Sequence, residues 1–365
     1  MTSWRGPEDF PSAFYQRPQK RELRSTGMSL REEILSKLYL ADQCAAWGTL
    51  GTIKPHPSFD VNNDVELLRT ALAGKGVRRD LIIDVVTGRS NAQRRQIVKY
   101  FPIIAKQDLV KSLEGALSGD LERVLVGLLK TPAQYDAHEL KAAMKGLGTT
   151  EDTLVEILST RSNEQLGEIV TFYREDFKAE LEKDIAAETS GHFRELLLSL
   201  VKGKRERDSG IIDYALIAQD AKVLSDTGAK DGVPNVHRWI SILSERGMDH
   251  LKRVFEQYKK FSPLEVEESI KKHFKGDFER ALLALVSVIR NTPLYFADKL
   301  YGAMKGIGTD ENTLTRILIS RSETDLLCIR VQFRKKYGKS LYSSLQNEVK
   351  GDYRSALLGL CRAED

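Results

Sequence analysis

Apolar residues recur three and four positions apart along most of this chain. Leu140 and Met144 stand four apart, and Leu30, Ile34, Leu35 and Leu38 fall on one stripe, the spacing of helices with one buried face. Residues that open helices punctuate the pattern. Thr131 before Pro132 sets a capping hydroxyl ahead of a proline at the first helical position. Ser90 with Gln93, Ser162 with Gln165, Thr149 with Asp152 and Ser29 with Glu32 have capping-box spacing. No period-two run of useful length lies between hairpin residues, so the reading is all-α.

The punctuation itself repeats. Arg89-Ser90, Arg161-Ser162, a weaker Arg246-Gly247 and Arg321-Ser322 are separated by 72, 85 and 75 positions. Gly119-Asp120, Gly191-His192, Gly276-Asp277 and Gly351-Asp352 give the same three offsets. Two independent markers with one set of spacings define four related units, at residues 58–131, 132–210, 211–291 and 292–365, after an N-terminal tail of 1–57. Each unit reads as about five short helices. A unit of roughly 70 residues buries proportionately little surface by itself, so the four are expected to pack into one body. The arginine of each Arg-Ser marker is read as a cation anchoring carbonyls at a helix end. The wider middle spacing coincides with a polar run, Gly203 to Gly210, read as a longer connector.

Two of the units share a further motif. Met144-Lys145-Gly146-Leu147-Gly148-Thr149 recurs as Met304-Lys305-Gly306-Ile307-Gly308-Thr309. Paired glycines between helices let the backbone turn sharply and aim successive carbonyls at one point. Calcium takes six to eight such oxygens in irregular geometry, whereas magnesium demands an octahedron and keeps its water. Carbonyls alone leave the charge uncompensated, and an acid answers in both units: Glu188 lies 40 positions after Gly148, and Glu348 lies 40 after Gly308.

A glycine loop followed at that distance by an acid resembles the type II calcium site of the annexins. The similarity runs over all four units and includes Leu129 to Asp136 and Lys336 to Tyr342, where the wording is similar to the annexin II type. The resemblance implies an all-helical, slightly curved body that is no enzyme and that binds acidic phospholipid membranes in a calcium-dependent way. Carried over by position, it implies carbonyl ligands from Met144, Gly146 and Gly148 with a bidentate Glu188, and from Met304, Gly306 and Gly308 with Glu348. Thr149 with Glu151, and Thr309 with Glu311, are implied as accessory sites. Units 1 and 3 depart from the pattern: the acid positions are Ala116 and His273, and Arg78-Arg79 stand where the family has acids. Both are expected to lack the main site, with Arg78, Arg79 and a protonatable His273 drawing acidic lipid without calcium, more strongly at low pH.

Composition narrows the alternatives. Among 365 residues, 56 Lys and Arg face 52 Asp and Glu, a formal charge of +4, too balanced for a dedicated nucleic-acid binder. An RNA or F-actin contact would rest on Lys202, Lys204, Arg205 and Arg207, a run more commonly a solvated connector. Catalytic signatures are missing: Gly338-Lys339-Ser340 lacks the earlier glycine of a phosphate loop, since Phe333 stands there. Three scattered cysteines and no apolar leader or spanning stretch point to a cytoplasmic protein, peripheral at membranes when calcium rises, unless exported by an unconventional route. The stripe Leu30, Ile34, Leu35 and Leu38, in a helix near 29–40, is similar to the segment that binds an S100 dimer in the annexin II type. Arg31 and the preceding tail depart from it.

Overall fold

The computed structural model describes residues 50–73, 76–146, 148–208, 210–226, 232, 234–306 and 308–363. The stripe at Leu30, Ile34, Leu35 and Leu38 lies outside them. Among the described residues there are nineteen helices and no strand. Unit 1 holds α1 (Val61–Ala73), α2 (Arg79–Thr87), α3 (Asn91–Ala105), α4 (Leu109–Ala116) and α5 (Gly119–Leu129). Unit 2 holds α6 (Pro132–Ala143), α7 (Glu151–Thr160), α8 (Asn163–Phe177), α9 (Leu181–Glu188) and α10 (Gly191–Val201). Unit 3 follows with α11 (Tyr214–Ser225), α12 (Val236–Glu245), α13 (Met248–Tyr258) and α14 (Val266–His273). The long α15 (Gly276–Met304) is interrupted at Asn291, where φ is −163°, and so closes unit 3 and opens unit 4. Unit 4 continues with α16 (Glu311–Arg321), α17 (Leu326–Tyr337), α18 (Leu341–Glu348) and α19 (Gly351–Cys361).

Local chemistry explains the recurrence of these boundaries. Ser90 and Ser162 form reciprocal capping boxes with Gln93 and Gln165, and the Thr131 hydroxyl accepts from the Gln134 amide. The third helix ends in a left-handed residue in three units, Lys106, Lys178 and Gly338. In unit 3 Pro263 stands in the corresponding stretch and cannot adopt that conformation. There the chain closes with Lys260, Phe261 and Ser262 amides donating to the Gln257 and Tyr258 carbonyls at 2.9–3.0 Å. Each Gly of the Gly-Asp and Gly-His markers has φ between +59° and +67°, a conformation that favours glycine and turns the chain into the fifth helix. Thr149 does not cap α7 as its spacing with Asp152 suggested. The cap position falls on Thr150 and makes no side-chain cap bond.

The marker arginines act mainly on carboxylates, though Arg89 also reaches a helix-end carbonyl as read from sequence, that of Gly88 at 3.3 Å. They pair with an aspartate on the first helix of their own unit: Arg89 with Asp64 at 2.6 and 2.8 Å, Arg161 with Asp136 at 2.6 and 2.8 Å, and Arg246 with Asp220 at 2.8 Å. In unit 4 Phe296 occupies the place of that aspartate. Arg321 pairs instead with Asp325 at 2.7 and 2.8 Å and lies 4.7 Å from the Phe296 ring centre, a cation–π contact.

The buried apolar side chains form two cores. One joins units 2 and 3, from Ala133 to Ile289 and including fully covered Trp239; the other joins units 1 and 4 and takes in Ile53 ahead of the first helix. Between them Arg316 of α16 makes a two-pronged pair with Glu156 of α7, both bonds 2.9 Å. Burial alone would pull the Arg316 guanidinium down, but Glu156 and Glu139 hold it above its ordinary value. The connector is also structural. Arg205 donates to the carbonyls of Arg246 at 2.7 Å and Leu243 at 2.9 Å, and Arg207 pairs with Glu164. Asp208 accepts from the Asp249 amide at 3.1 Å, supplying α13 with the cap that Gly247 lacks.

Removing one member of a fully buried pair leaves an uncompensated charge, at a cost of about 3–5 kcal/mol. Arg161→Met is therefore expected to lower the urea unfolding free energy by roughly that amount. Arg174→Met, in the exposed pair with Glu180, is expected to leave the unfolding midpoint near that of the unaltered chain.

Candidate metal centre

The glycines of the two loops share positive φ. In unit 2 Gly146 and Gly148 have φ of +114° and +109°, and in unit 4 Gly306 and Gly308 have +154° and +96°, values a side chain would strain. Each loop is closed by a hydrogen bond seven residues long, Thr150 N to Ala143 O at 2.8 Å and Asp310 N to Ala303 O at 2.9 Å. That bond pins the ends of each loop together. The loop glycines are exposed, Met144 is buried and Met304 half-buried, so the methionines root the loops while their backbones stay at the rim. Among the described residues no donor reaches the carbonyl oxygens of Met144, Gly146, Gly148, Met304, Gly306 or Gly308. Backbone oxygens are ordinarily paired or hydrated, and loop carbonyls without a protein donor are of the kind a hard cation takes.

The distant acids arrive at the same rim. Glu188 is the last residue of α9 and Glu348 the last of α18. In unit 4 the Thr309 hydroxyl donates to Glu348 Oε1 at 2.6 Å, tying the carboxylate to the loop. In unit 2 the Thr149 hydroxyl donates to the Glu188 carbonyl at 3.4 Å, a weaker tether, and the Glu188 side chain is exposed. One turn before Glu188, Asp184 accepts from Lys141 at 2.8 Å and from the Tyr173 hydroxyl, locking α9 onto α6 and α8. Burial opposes ionisation of Asp184, but these two donors hold its carboxyl below the usual range. The accessory sets are divided: both threonine hydroxyls turn to the glutamate corner, while Glu151 lines a separate cavity with Asp152, Asp277, Arg280 and Lys299. Glu311 opens α16, and its carbonyl accepts from the Tyr353 hydroxyl at 3.1 Å.

The same position in the other units is also the last residue of the fourth helix: Ala116 on α4 and His273 on α14. Unit 1 keeps the seven-residue closure, Arg78 N to Ala71 O at 3.0 Å, so that bond forms without an acid. Arg78 pairs with Asp80 at 2.9 Å and Arg79 with Asp352 at 3.4 Å. Their charges are thus partly answered within the protein, which weakens the calcium-independent attraction expected of them; Asp80 two positions after Arg78 was the overlooked signal. Burial, and then Lys272, hold the His273 imidazole below its ordinary value, against charging at mildly acid pH. A cluster unnoticed in sequence lies just beyond Glu188. His192 Nδ1 and His237 Nδ1 approach one oxygen of Glu195 at 3.2 and 3.3 Å, where units 1 and 3 carry Asp120 with Arg123 and Asp277 with Arg280.

An annexin family profile matches residues 63–128, 135–200, 219–285 and 295–360. The chain is an annexin. It is 51% identical over 339 residues to mouse annexin A9, covering 93% of this chain and 97% of that one, and equally identical to the bovine form over the same span. Among solved structures, annexin III superposes with a TM-score of 0.84 at 42% identity, covering 86% of this chain and 98% of that one. A calcium-bound annexin (Sm)1 superposes at 0.77 with 31% identity, covering 86% and 93%. These relatives establish the family but do not support the annexin II type suggested by the sequence wording.

The depressed His273 imidazole binds its proton less readily folded than unfolded. Its contribution to stability is present above the ordinary value of 6.5 and is lost as pH falls through the lower folded value. His273→Gln is expected to flatten the acid limb of this annexin's stability profile, measured by urea unfolding between pH 7.5 and 5.

Proposed function

We propose that this annexin attaches peripherally to acidic phospholipid membranes in a calcium-dependent way, through unit 2 and unit 4 and not through units 1 and 3. The observation that supports the reading most is the pairing, in both units, of unused loop carbonyls with a glutamate that ends the fourth helix. Met144, Gly146, Gly148 and Glu188 would hold one calcium ion, and Met304, Gly306, Gly308 and Glu348 the other. Bound there, calcium supplies a divalent positive centre open to phosphoryl oxygens. Three carbonyls and a two-oxygen carboxylate offer five of the roughly six to eight oxygens such an ion takes, which leaves places for lipid headgroups. The exposed Lys145 and Lys305 add attraction on the order of 1 kcal/mol each toward an anionic surface. Among the described residues no helix is long and apolar enough to cross a membrane, in keeping with attachment at the surface.

An RNA or F-actin adaptor using the connector cations finds less support, since Arg205 and Arg207 are engaged within the protein. Residues Leu30, Ile34, Leu35 and Leu38 are where an S100 dimer would dock on the annexin II reading; pull-down of the chain with and without residues 1–49 tests that partner.

Sedimentation with phosphatidylserine vesicles is expected to carry this annexin down with calcium and to release it in chelator. Glu188→Gln and Glu348→Gln are each expected to raise the calcium requirement by about tenfold or more, because ligand charge sets affinity over decades. The double variant should stay in the supernatant; if it pellets with calcium as the unaltered chain does, the proposed ligand sets are wrong.

A further inference from the structure

The two candidate centres are alike in sequence and differ in how their acids are held. Glu188 is exposed, and the Thr149 hydroxyl reaches only its carbonyl, at 3.4 Å. Among the described residues no donor reaches the Glu188 carboxylate. Glu348 is half-buried, and the Thr309 hydroxyl donates to its Oε1 at 2.6 Å. An arriving ion would have to order the first carboxylate, whereas the second is already placed.

The bases of the loops differ in the same direction. In unit 4 Asp310 closes the loop through its amide and caps α16 through its carboxylate, which accepts from the Thr313 amide at 3.0 Å and the Thr313 hydroxyl at 2.7 Å. Thr150 stands there in unit 2 and makes no side-chain cap bond. The unit 4 base thus carries a negative charge and two bonds that the unit 2 base lacks. The lysine beside the loop is lodged as well: Lys305 Nζ lies 5.6 Å from the centre of the Tyr301 ring, which stacks on Tyr337 with ring centres 3.8 Å apart. In unit 2 Lys141 takes the place of Tyr301 and turns to Asp184.

We infer that the unit 4 centre is pre-formed and fills at lower calcium than the unit 2 centre, with Thr309 as its positioning residue. This order rests on the calcium-dependent attachment proposed above and goes beyond it. Fixing a long side chain costs free energy, and a carboxylate already held does not ask that cost of the ion. Each carboxylate oxygen has two lone pairs, so Oε1 can keep the Thr309 hydrogen bond and still face a cation. Losing such an orienting partner typically weakens metal binding by roughly 10–100-fold. The register supplies an acid to both units, and the contacts around the acid set the calcium level at which each fills. The core of units 1 and 4 then meets an acidic membrane first and weakly, and firm attachment waits for unit 2, whose contact has by then become intramolecular.

The order is read centre by centre on the full chain, with phosphatidylserine vesicles and a calcium series, by hydrogen exchange and mass spectrometry of segments 304–310 and 144–150. Protection of 304–310 is expected at a calcium level about tenfold below that for 144–150. Thr309→Val is expected to raise the unit 4 midpoint by about tenfold, Thr309→Ser to keep it where the unaltered chain has it, and Thr149→Val to leave the unit 2 midpoint in place. Urea unfolding of each variant separates a shifted midpoint from a lost fold. Coincident midpoints in the unaltered chain, or protection of 144–150 first, overturn the order. Equal shifts from Thr309→Val and Thr149→Val overturn the role of Thr309, since both hydroxyls would then be ligands. Loops that exchange freely at every calcium level overturn calcium-dependent attachment itself, a different result from loops that close together.

Discussion

A set of backbone carbonyls cannot retain a divalent cation unless a negative charge stands within reach. Carbonyl dipoles supply geometry and partial charge, and one carboxylate supplies most of the compensation. In this annexin the loop and the carboxylate come from helix ends about 40 residues apart in sequence, so the constraint falls on how the fourth helix is seated against the first. Asp184 to Lys141 and Tyr173 fixes that seating in unit 2. In unit 4 those positions carry no such triad, and buried Leu341 and Leu345 seat α18 by apolar packing while Thr309 steadies Glu348 directly. Different contacts thus seat Glu188 and Glu348 at the ends of their helices, which makes the register of that last residue, and not the particular polar contacts, the feature on which the proposed sites depend.

The same register in units 1 and 3 carries alanine and histidine without loss of the fold. Ala116 and His273 still end their helices, and unit 1 still makes its seven-residue closure. The acid is therefore not a folding determinant, because the loop is held by its own hydrogen bond and the helix by its apolar face. The left-handed glycines that open the fifth helices hold their conformation in all four units, whatever the fourth helix ends in.

This separation explains what could be read in the sequence. Unit number and helix content were legible because each is a spacing, and spacings survive between copies. The partners of the marker arginines were not, because Asp64, Asp136 and Asp220 lie on another helix about 25 residues earlier and Phe296 breaks the series. Thr149 was misassigned for a related reason: its spacing to Asp152 suits a cap, but the loop turns its hydroxyl toward α9 and moves the cap to Thr150. The connector was read as solvated from its charge alone. Once Gly247 replaces the serine of the other units, Asp208 becomes the cap of α13, and Arg205 is drawn in with it.

The pairing of units gives the two candidate centres a mechanical meaning. Units 2 and 3 share one core and units 1 and 4 the other, so each core carries a single glutamate-bearing loop. The junction between the cores includes the Glu156 to Arg316 pair, which is directional and holds orientation, whereas apolar packing fills volume without direction. A surface engaging both loops would grip both cores at once, and any rotation of one core against the other would have to break bidentate bonds that have no water to replace them. Sites in units 2 and 3 alone would leave the second core ungripped, whereas the sites proposed in units 2 and 4 would fasten both halves with one acid each.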